Sequence, residues 1–513
     1  MNIAQWISER AEAVPDRTAI YFQGKDISYR EFDRLITSAA AALQALGVGK
    51  SDRVALLDYN SPLYLAVIFA CARLGAAAVP LNWRLTAREH LVQLRDCLPE
   101  VLLAGPDFLE HAGQVRGASS IGHWLSLGEA APGWPAFSDM QAAAAVLDAT
   151  ADAGAMQDAL LLVYTSGTTG KPKGAVLTQE AVYWNARNAV AAHEFTEADR
   201  VLTDLPLFHV GGLNIQTLPA FYVGAGVILQ PRFNAGNVLR AMETLRPTIN
   251  LMVPATMQAL IGHSDWERTD ISSLRLAMTG SSIIPVHLLQ AFLDRGIPAG
   301  QVYGSTETCP VAICLGREQA QVKIGSCGRP ARHCQAKVVT ADGREAAPGE
   351  RGEIWIRGRN LFSGYWNDEE STAAAMADDW YKTGDVGHVD DEGYFYIDER
   401  KRDVIISGGE NIYPAEIEDL ITSLDNVHEC AVVGKPDPRW GEVPVVFIVS
   451  DGVAKPDAGS LCAALEGQLA HFKIPREVIL VEDLPRNVMG KVLKYRLRES
   501  LRTEMVRATD SLS

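Results

Sequence analysis

The densest chemistry in the chain lies in ten residues, Thr165-Ser166-Gly167-Thr168-Thr169-Gly170-Lys171-Pro172-Lys173-Gly174. They follow the apolar run Ala159-Leu160-Leu161-Leu162-Val163-Tyr164, which has the pattern of a buried strand, so hydroxyls, glycines and two lysines emerge from a strand end. Backbone N–H groups and mobile cations presented in this way suit a polyphosphate. A Walker A loop needs a Gly at its head and a Ser or Thr behind its Gly-Lys pair. Thr165 and Pro172 stand at those two places, and the Walker reading fails. The hydroxyls must therefore supply much of the phosphate coordination, while the glycines leave the loop free to close over its ligand.

Other stretches offer complementary chemistry. The strand pattern from Arg200 to Asp204 runs into Leu205-Pro206-Leu207-Phe208-His209-Val210-Gly211-Gly212, where the glycine pair implies that something approaches the backbone closely. Leu274 to Met278 reads as a strand ending in Thr279-Gly280-Ser281-Ser282, at the carboxyl end where open α/β sheets bind ligands. In Gln301-Val302-Tyr303-Gly304-Ser305-Thr306-Glu307-Thr308 an aromatic ring can face a base, and a Thr with a carboxylate can coordinate Mg²⁺ and a phosphate oxygen.

The elements that must position these residues follow from periodicity. Thr18 to Phe22, the Gly24 turn and Asp26 to Ser28 form a hairpin, and Tyr29 to Leu46 is a helix stopped by Gly47. Asp52 to Leu57 is a strand, Pro62 to Leu74 a helix ending at Gly75, and Ala76 to Val79 a strand, an alternation that predicts helices covering a largely parallel sheet. Gly113 to Asp158 shows little periodicity and reads as a variable connection. Beyond the loop, Ala181 to Ala192, Val238 to Leu245 and Val286 to Asp294 are helices, while Gly226 to Leu229 and Thr248 to Val253 are strands. From about residue 330 to 400 the pattern changes to short alternating strands with Gly turns, a β-rich subdomain. The charge run Asp398-Glu399-Arg400-Lys401-Arg402-Asp403 then opens a separate α+β domain, in which Pro414 begins a helix. The predicted domains are 1–401 and 402–513.

A chain of 513 residues is too long for one core. Its formal net charge of −16 excludes a sequence-independent nucleic-acid binder, because such proteins gain affinity by neutralising phosphates. The start lacks a basic region followed by an apolar core, so no secretory signal is expected. The most apolar span, Pro62 to Leu81, is interrupted by Arg73, Gly75 and Pro80 and reads as a buried helix and strand rather than a membrane span. Eight cysteines without a C-x-x-C pair point to reduced thiols and a cytoplasmic location.

Six segments now stand in order: Thr165 to Gly174, Pro206 to Gly212, Tyr303 to Glu307, Tyr381 to Asp385, Arg400 to Pro414, and Pro485-Arg486-Asn487-Val488-Met489-Gly490-Lys491. In residues and spacing they resemble the signature motifs of the adenylate-forming (AMP-binding) superfamily, which includes acyl-CoA synthetases, luciferases and peptide-synthetase adenylation domains. The resemblance runs from about residue 10 to about residue 500. It implies an α/β fold with a large N-terminal domain of helix-covered sheets, a β-rich subdomain and a small mobile α+β C-terminal domain. It also implies two half-reactions. Carboxylate and MgATP give acyl-adenylate and pyrophosphate, and a thiol then gives the thioester and AMP, with ATP, Mg²⁺ and coenzyme A as cofactors.

By the same resemblance, Thr165 to Lys171 hold the phosphates with Thr306, and Glu307 is the Mg²⁺ ligand. Asp385 holds the ribose, Arg400 the sugar and phosphate side, Tyr303 stacks near adenine, and Gly280, Ser281 and Ser282 line the other face. Gln301, Val302 and Gly304 complete this site. Lys491 is the catalytic cation: carboxylate attack on phosphorus brings anion toward anion, and a cation bridging both removes that obstacle. Arg402 matches the hinge of a domain rotation, after which Ser407, Gly408 and Gly409 line a pantetheine tunnel. Trp440, Phe472, Lys473 and Arg476 resemble the CoA-facing segments, and His209 matches the aromatic gate between tunnel and acyl pocket.

That pocket is expected between His209, Val210, Gly211, Gly212, Gly280, Gly304, Pro310 and Val311, nearly all small or apolar. An apolar monocarboxylate fits best, and the space beside Gly211 and Gly212 favours a medium or long acyl chain or a bulky cyclic or aromatic acid over acetate. Arg187 or Arg232 could meet a second carboxylate, which keeps a dicarboxylate-specific ligase open. Transfer of the acyl group to a carrier protein is the other alternative, and no carrier domain follows Ser513. No nucleic acid or membrane span is expected, and a homodimer is admitted.

Overall fold

The computed structural model describes residues 1–144, 154–166, 171–280, 286–320, 322–323, 325–400, 404–424, 427–450, 458–486 and 492–501. Two compact units result. The larger comprises Met1–Trp83, His90–Tyr164 and Gly174–Glu399; the smaller comprises Arg400–Ser513 with Arg84–Glu89 and Thr165–Lys173.

Among the described residues, two sheets form the body of the larger unit. One runs from edge to edge through Arg329–Pro330, Ile313–Leu315, Ala299–Tyr303, Leu276–Gly280, Ile249–Met252, Arg200–Thr203, Gly226–Leu229, Thr18–Phe22 and Lys25–Ser28. Its central pairings are parallel, and the hairpin Thr18–Ser28 and the strand Ile313–Leu315 add antiparallel margins. The other runs through Gly364–Tyr365, Pro172–Thr178, Ala159–Ser166, Ala77–Pro80, Arg53–Leu57, Val101–Ala104 and His123–Ser126. Sequence-distant motifs thus enter one sheet side by side, as where Ala78 pairs with Leu161.

Helix ends follow local chemistry. Ser28 caps Tyr29–Ala45 in a reciprocal box with Glu31. Ser61 caps Pro62–Leu74, Pro62 occupies the first turn, and Gly75 closes the helix at φ 72°. That helix is buried on nearly every face, which accounts for its continuous apolarity. None of the described helices is long and apolar enough to cross a membrane.

The stretch Gly113 to Asp158 holds more structure than its composition suggests. It contributes the edge strand His123–Ser126 and the helix Phe137–Ala143, both too short for periodicity to register. Single large residues anchor them instead: Phe137 is fully buried, and Trp124 and Trp134 meet edge to face with centroids 5.7 Å apart. A second unforeseen element follows His209, where Gly211–Thr217 form a π-helical turn that continues into the helix Leu218–Val223.

The β-rich part joins Cys334–Val339, Gly352–Gly358 and Trp380–Val389 antiparallel, with Met376–Ala377 and Phe395–Arg400 alongside. In the smaller unit, Glu410–Ile412, Ile405–Ser407, Gly441–Ser450 and Val427–Asp437 form a sheet to which Glu477–Leu480 adds in parallel. The helices Pro414–Thr422 and Ala458–Leu465 bury Ile417, Ile421, Leu461 and Leu465 with Val432 and Val446.

One aromatic cluster packs three segments of the larger unit. Phe221 is fully buried, 5.3 Å from Phe32 and 5.8 Å from Phe69 between ring centroids. Phe221→Ala is expected to cost about 3–5 kcal/mol, read as a lower denaturation midpoint; an unshifted midpoint would show that the three segments do not depend on this ring.

Candidate functional site

In the larger unit, the parallel strands Leu276–Gly280 and Ala299–Tyr303 deliver two motifs to one end of the sheet, with Thr279 opposite Gln301 and Gly280 opposite Val302. Gly280 is required by that pairing, since a Cβ there would lie 2.6 Å from the Val302 carbonyl oxygen. Gly304 is tighter still, with a prospective Cβ 1.6 Å from the Pro310 oxygen. Among the described residues, the buried hydroxyls of Thr279 and Ser305, each beside one of these glycines, have no hydrogen-bond partner.

Tyr303 and Asp385 meet across 82 residues of sequence: Tyr303 Oη donates to Asp385 Oδ2 at 2.9 Å. Burial, with the negative charge of Asp385 adding to it, holds the Tyr303 phenol well above its ordinary range. The hydroxyl therefore stays protonated and fixes the carboxylate as a neutral donor. Asp385 lies in the strand Trp380–Val389 and is held by its neighbours, since its N–H donates to Thr383 Oγ1 at 3.1 Å and Thr383 Oγ1 donates to the Ile354 carbonyl at 2.7 Å.

Thr306 and Glu307 share the short turn Thr306–Thr308 and are both buried. Tyr365 Oη donates to Glu307 Oε1 at 2.7 Å, the Phe362 N–H donates to the Glu307 carbonyl at 2.8 Å, and Asn360 Nδ2 donates to the Thr308 carbonyl at 2.7 Å. A single oriented carboxylate beside a Thr hydroxyl suits Mg²⁺, which takes one or two carboxylates and completes its shell with water and phosphate oxygens. Among the described residues no group of three or more His, Cys, Asp or Glu is arranged for a metal.

The His209 segment is irregular and pinned from several sides. Gly211 N–H donates to His209 Nδ1 at 3.0 Å, so the neutral ring carries its proton on Nε2. Asn60 Oδ1 accepts from the Leu207 N–H at 2.8 Å while its Nδ2 donates to the carbonyls of Leu205 and Gln230, each at 3.0 Å. Thr217 Oγ1 donates to the Gly212 carbonyl at 2.7 Å. The close approach implied by the glycine pair is made by the chain itself: a Cβ on Gly212 would lie 2.4 Å from the Pro206 oxygen, and one on Gly211 3.0 Å from His209 Nδ1. In the direction of a side chain, the space at Gly212 is thus filled by backbone. Behind the segment lies Asp204, a fully buried carboxyl that burial pushes up to about 7 although Asn250 Nδ2 donates to it at 3.0 Å.

Val210 is buried, and Pro310 follows Cys309 through a cis peptide bond. The two cations considered for a second carboxylate lie over aromatic rings, Arg187 4.7 Å from the centroid of Trp184 and Arg232 5.3 Å from that of Tyr59.

In the smaller unit, Thr165 Oγ1 donates to the Lys173 carbonyl at 3.4 Å, and Lys171 is exposed. Ser407 is buried, and Gly408 and Gly409 adopt φ 60° and 87°. The Gly408 N–H donates to the Trp440 carbonyl at 2.8 Å, and a Cβ on Gly408 would press 3.0 Å from the half-exposed Trp440 ring. Beside Phe472, Lys473 is buried and paired with Glu416 at 2.8 Å, whereas Arg476 is exposed. Gly167, Thr168, Thr169, Gly170, Ser281, Ser282, Arg402 and Lys491 lie outside the described residues, as do the side chains of Ser166 and Arg400.

Sequence reading missed Asn60, Asn185, Tyr365 and Asp204. Tyr365 stands in the run Ser363-Gly364-Tyr365-Trp366, whose Gly-aromatic pattern is a local signal; the isolated buried amides carry none.

Residues 7–366 match the AMP-binding enzyme family, and residues 416–491 match the AMP-binding enzyme C-terminal domain. Indoleacetate–CoA ligase of Aromatoleum aromaticum is 46% identical, covering 97% of this chain and 98% of that protein. Feruloyl-CoA synthase of an Amycolatopsis species is 38% identical with coverages of 97% and 98%. Among solved structures, the o-succinylbenzoate CoA synthetase of Bacillus subtilis, a double mutant bound to a product analogue, superposes with a TM-score of 0.87 at 32% identity over 96% of this chain and 98% of that one.

Tyr303→Phe removes the donor to Asp385. It is expected to weaken AMP binding about tenfold, the value of one hydrogen bond to a charged group; calorimetric affinity equal to the parent protein's would show that Asp385 is oriented without it.

Proposed function

The chain belongs to the AMP-binding enzyme family and is an AMP-forming carboxylate–CoA ligase; we propose that the acid it activates is aromatic or otherwise bulky and cyclic. The geometric observation that carries the nucleotide half of this reading is the Tyr303–Asp385 hydrogen bond at 2.9 Å, which orients a carboxylate at the carboxyl end of the parallel sheet. The acid class rests on the relatives, whose printed acids are indoleacetate, ferulate and o-succinylbenzoate.

In this mechanism Asp385 accepts from the ribose hydroxyls, and Tyr303 keeps its carboxylate turned toward the sugar. The buried hydroxyls of Thr279 and Ser305 meet polar atoms of the bound adenylate, which supplies the partners they lack. Glu307, held by Tyr365, is the residue that would carry Mg²⁺, which when bound neutralises phosphate charge. Thr165 and the loop behind it hold phosphate oxygens. Lys491 bridges the attacking carboxylate and the α-phosphate, offsetting the repulsion between them. His209, its ring oriented by the Gly211 N–H, stands between the acyl body and the route of the thiol. Arg476, exposed, takes the CoA phosphates, whereas Lys473 is already neutralised by Glu416.

CoA-dependent pyrophosphate release across indole-3-acetate, ferulate, cinnamate, benzoate, cyclohexanecarboxylate, octanoate and succinate tests the acid class. A peak within the ring-bearing acids is expected, and a preference for octanoate or succinate overturns it. Lys491→Ala is expected to slow adenylation by about a hundredfold to a thousandfold while sparing thioester formation from supplied acyl-adenylate; equal loss of both steps would refute the role.

A further inference from the structure

Asn185 and Asn188 lie one turn apart on the helix Gln179–His193, and both are buried. Asn185 Nδ2 donates to the Asn214 carbonyl at 2.7 Å, and Asn185 Oδ1 accepts from the Val311 N–H at 2.8 Å. One amide thereby ties the π-helical turn behind His209 to the residue that follows Pro310. Asn188 shares Val311 but not the Asn214 segment: its Oδ1 accepts from the His333 N–H at 2.9 Å, and its Nδ2 donates to the Val311 carbonyl at 3.3 Å and to Cys334 Sγ at 3.2 Å.

The two segments held by Asn185 are those that wall the acyl pocket in the reading above. A second link between them, Asn214 Nδ2 to Cys309 Sγ at 3.3 Å, ends on a sulfur, a weak acceptor. An apolar side chain at 185 could fill the volume but would leave a backbone N–H and a carbonyl buried without partners. An amide offers a donor and an acceptor on one short stem, so it sets the separation of the walls as well as satisfying them.

We propose that Asn185 is a positioning residue for acid selectivity, setting the width of the acyl pocket by bonding both of its walls. The inference rests on the proposed function and its pocket. Pocket width discriminates among acids of different girth, while the nucleotide end, fixed by Tyr303, Asp385 and Glu307, is unaffected.

The test compares KM and kcat for the preferred aromatic acid, for a smaller aromatic acid and for ATP, together with the thermal midpoint, in the parent enzyme, Asn185→Ala and Asn188→Ala. Asn185→Ala is expected to raise KM for the preferred acid about tenfold and to narrow its advantage over the smaller acid, with KM for ATP within about twofold of the parent value. Asn188→Ala, which frees the Val311 carbonyl but keeps the Val311 N–H and the Asn214 segment bonded through Asn185, is expected to lower the midpoint and to shift acid preference less than Asn185→Ala does; an equal or larger shift overturns the proposal. Acid and ATP KM values that stay put, or move by one common factor, in Asn185→Ala overturn the proposal. If that variant does not fold, Asn185→Gln decides: it keeps the amide on a longer stem, so an altered acid preference supports the assignment and a parental one overturns it. A parent enzyme inactive on every aromatic acid overturns the functional reading and this assignment with it, whereas an active parent with unmoved selectivity in the variants overturns the assignment alone.

Discussion

Irregular backbone in the interior must find hydrogen-bond partners that no helix or sheet supplies, and much of the larger unit depends on how that demand is met. Between the strand Arg200–Thr203 and the helix Leu218–Val223 the chain runs buried through the His209 segment. Asn60 donates to carbonyls 145 and 170 residues away and accepts an N–H between them. Asn185 does the same for segments 29 and 126 residues away. Thr217 closes the turn from within. Short polar side chains, one in the bend before Pro62 and one on the helix Gln179–His193, thus give otherwise unpaired loops a defined course, and a loop with a defined course holds His209 and the Cys309–Val311 bend in place.

The same economy governs the carboxylates. Asp385 and Glu307 each accept from a tyrosine hydroxyl, at 2.9 and 2.7 Å. A neutral donor fixes the direction of a carboxylate without cancelling its charge. Lys473 shows the contrasting arrangement, a buried ammonium held between the carboxylates of Glu416 and Glu89, so its charge is compensated within the cluster. In a chain of net charge −16, anionic phosphates must be met by cations kept apart from carboxylates, and exposed Lys171 and Arg476 fit that requirement better than Lys473.

Much of the fold was legible because it rests on local rules. Pro62–Leu74 declared itself through the Ser61 cap, the Pro at its start and Gly75 at its end, and Tyr29–Ala45 through Ser28 and Glu31. The alternation of strands and helices pointed to parallel sheets, as the register of Leu276–Gly280 with Ala299–Tyr303 bears out. The readings that fell short were those in which the cause lay elsewhere in the chain. His123–Ser126 and Phe137–Ala143 are held by single buried aromatics that no window average detects. The π-helical turn after His209 depends on contacts with Thr203 and Asn185, and a Cβ at position 212 would meet the Pro206 carbonyl.

By itself the sequence determined the family and the reaction class, because those are matters of residue type and order, and order survives without coordinates. Only the tertiary structure decided that Tyr303 holds Asp385, that Tyr365 holds Glu307, and that Asn60 and Asn185 fix the segments around His209. These are pairings between residues tens to hundreds of positions apart. Periodicity and motif spacing act over a few turns of chain, whereas a hydrogen bond depends on where two distant segments meet.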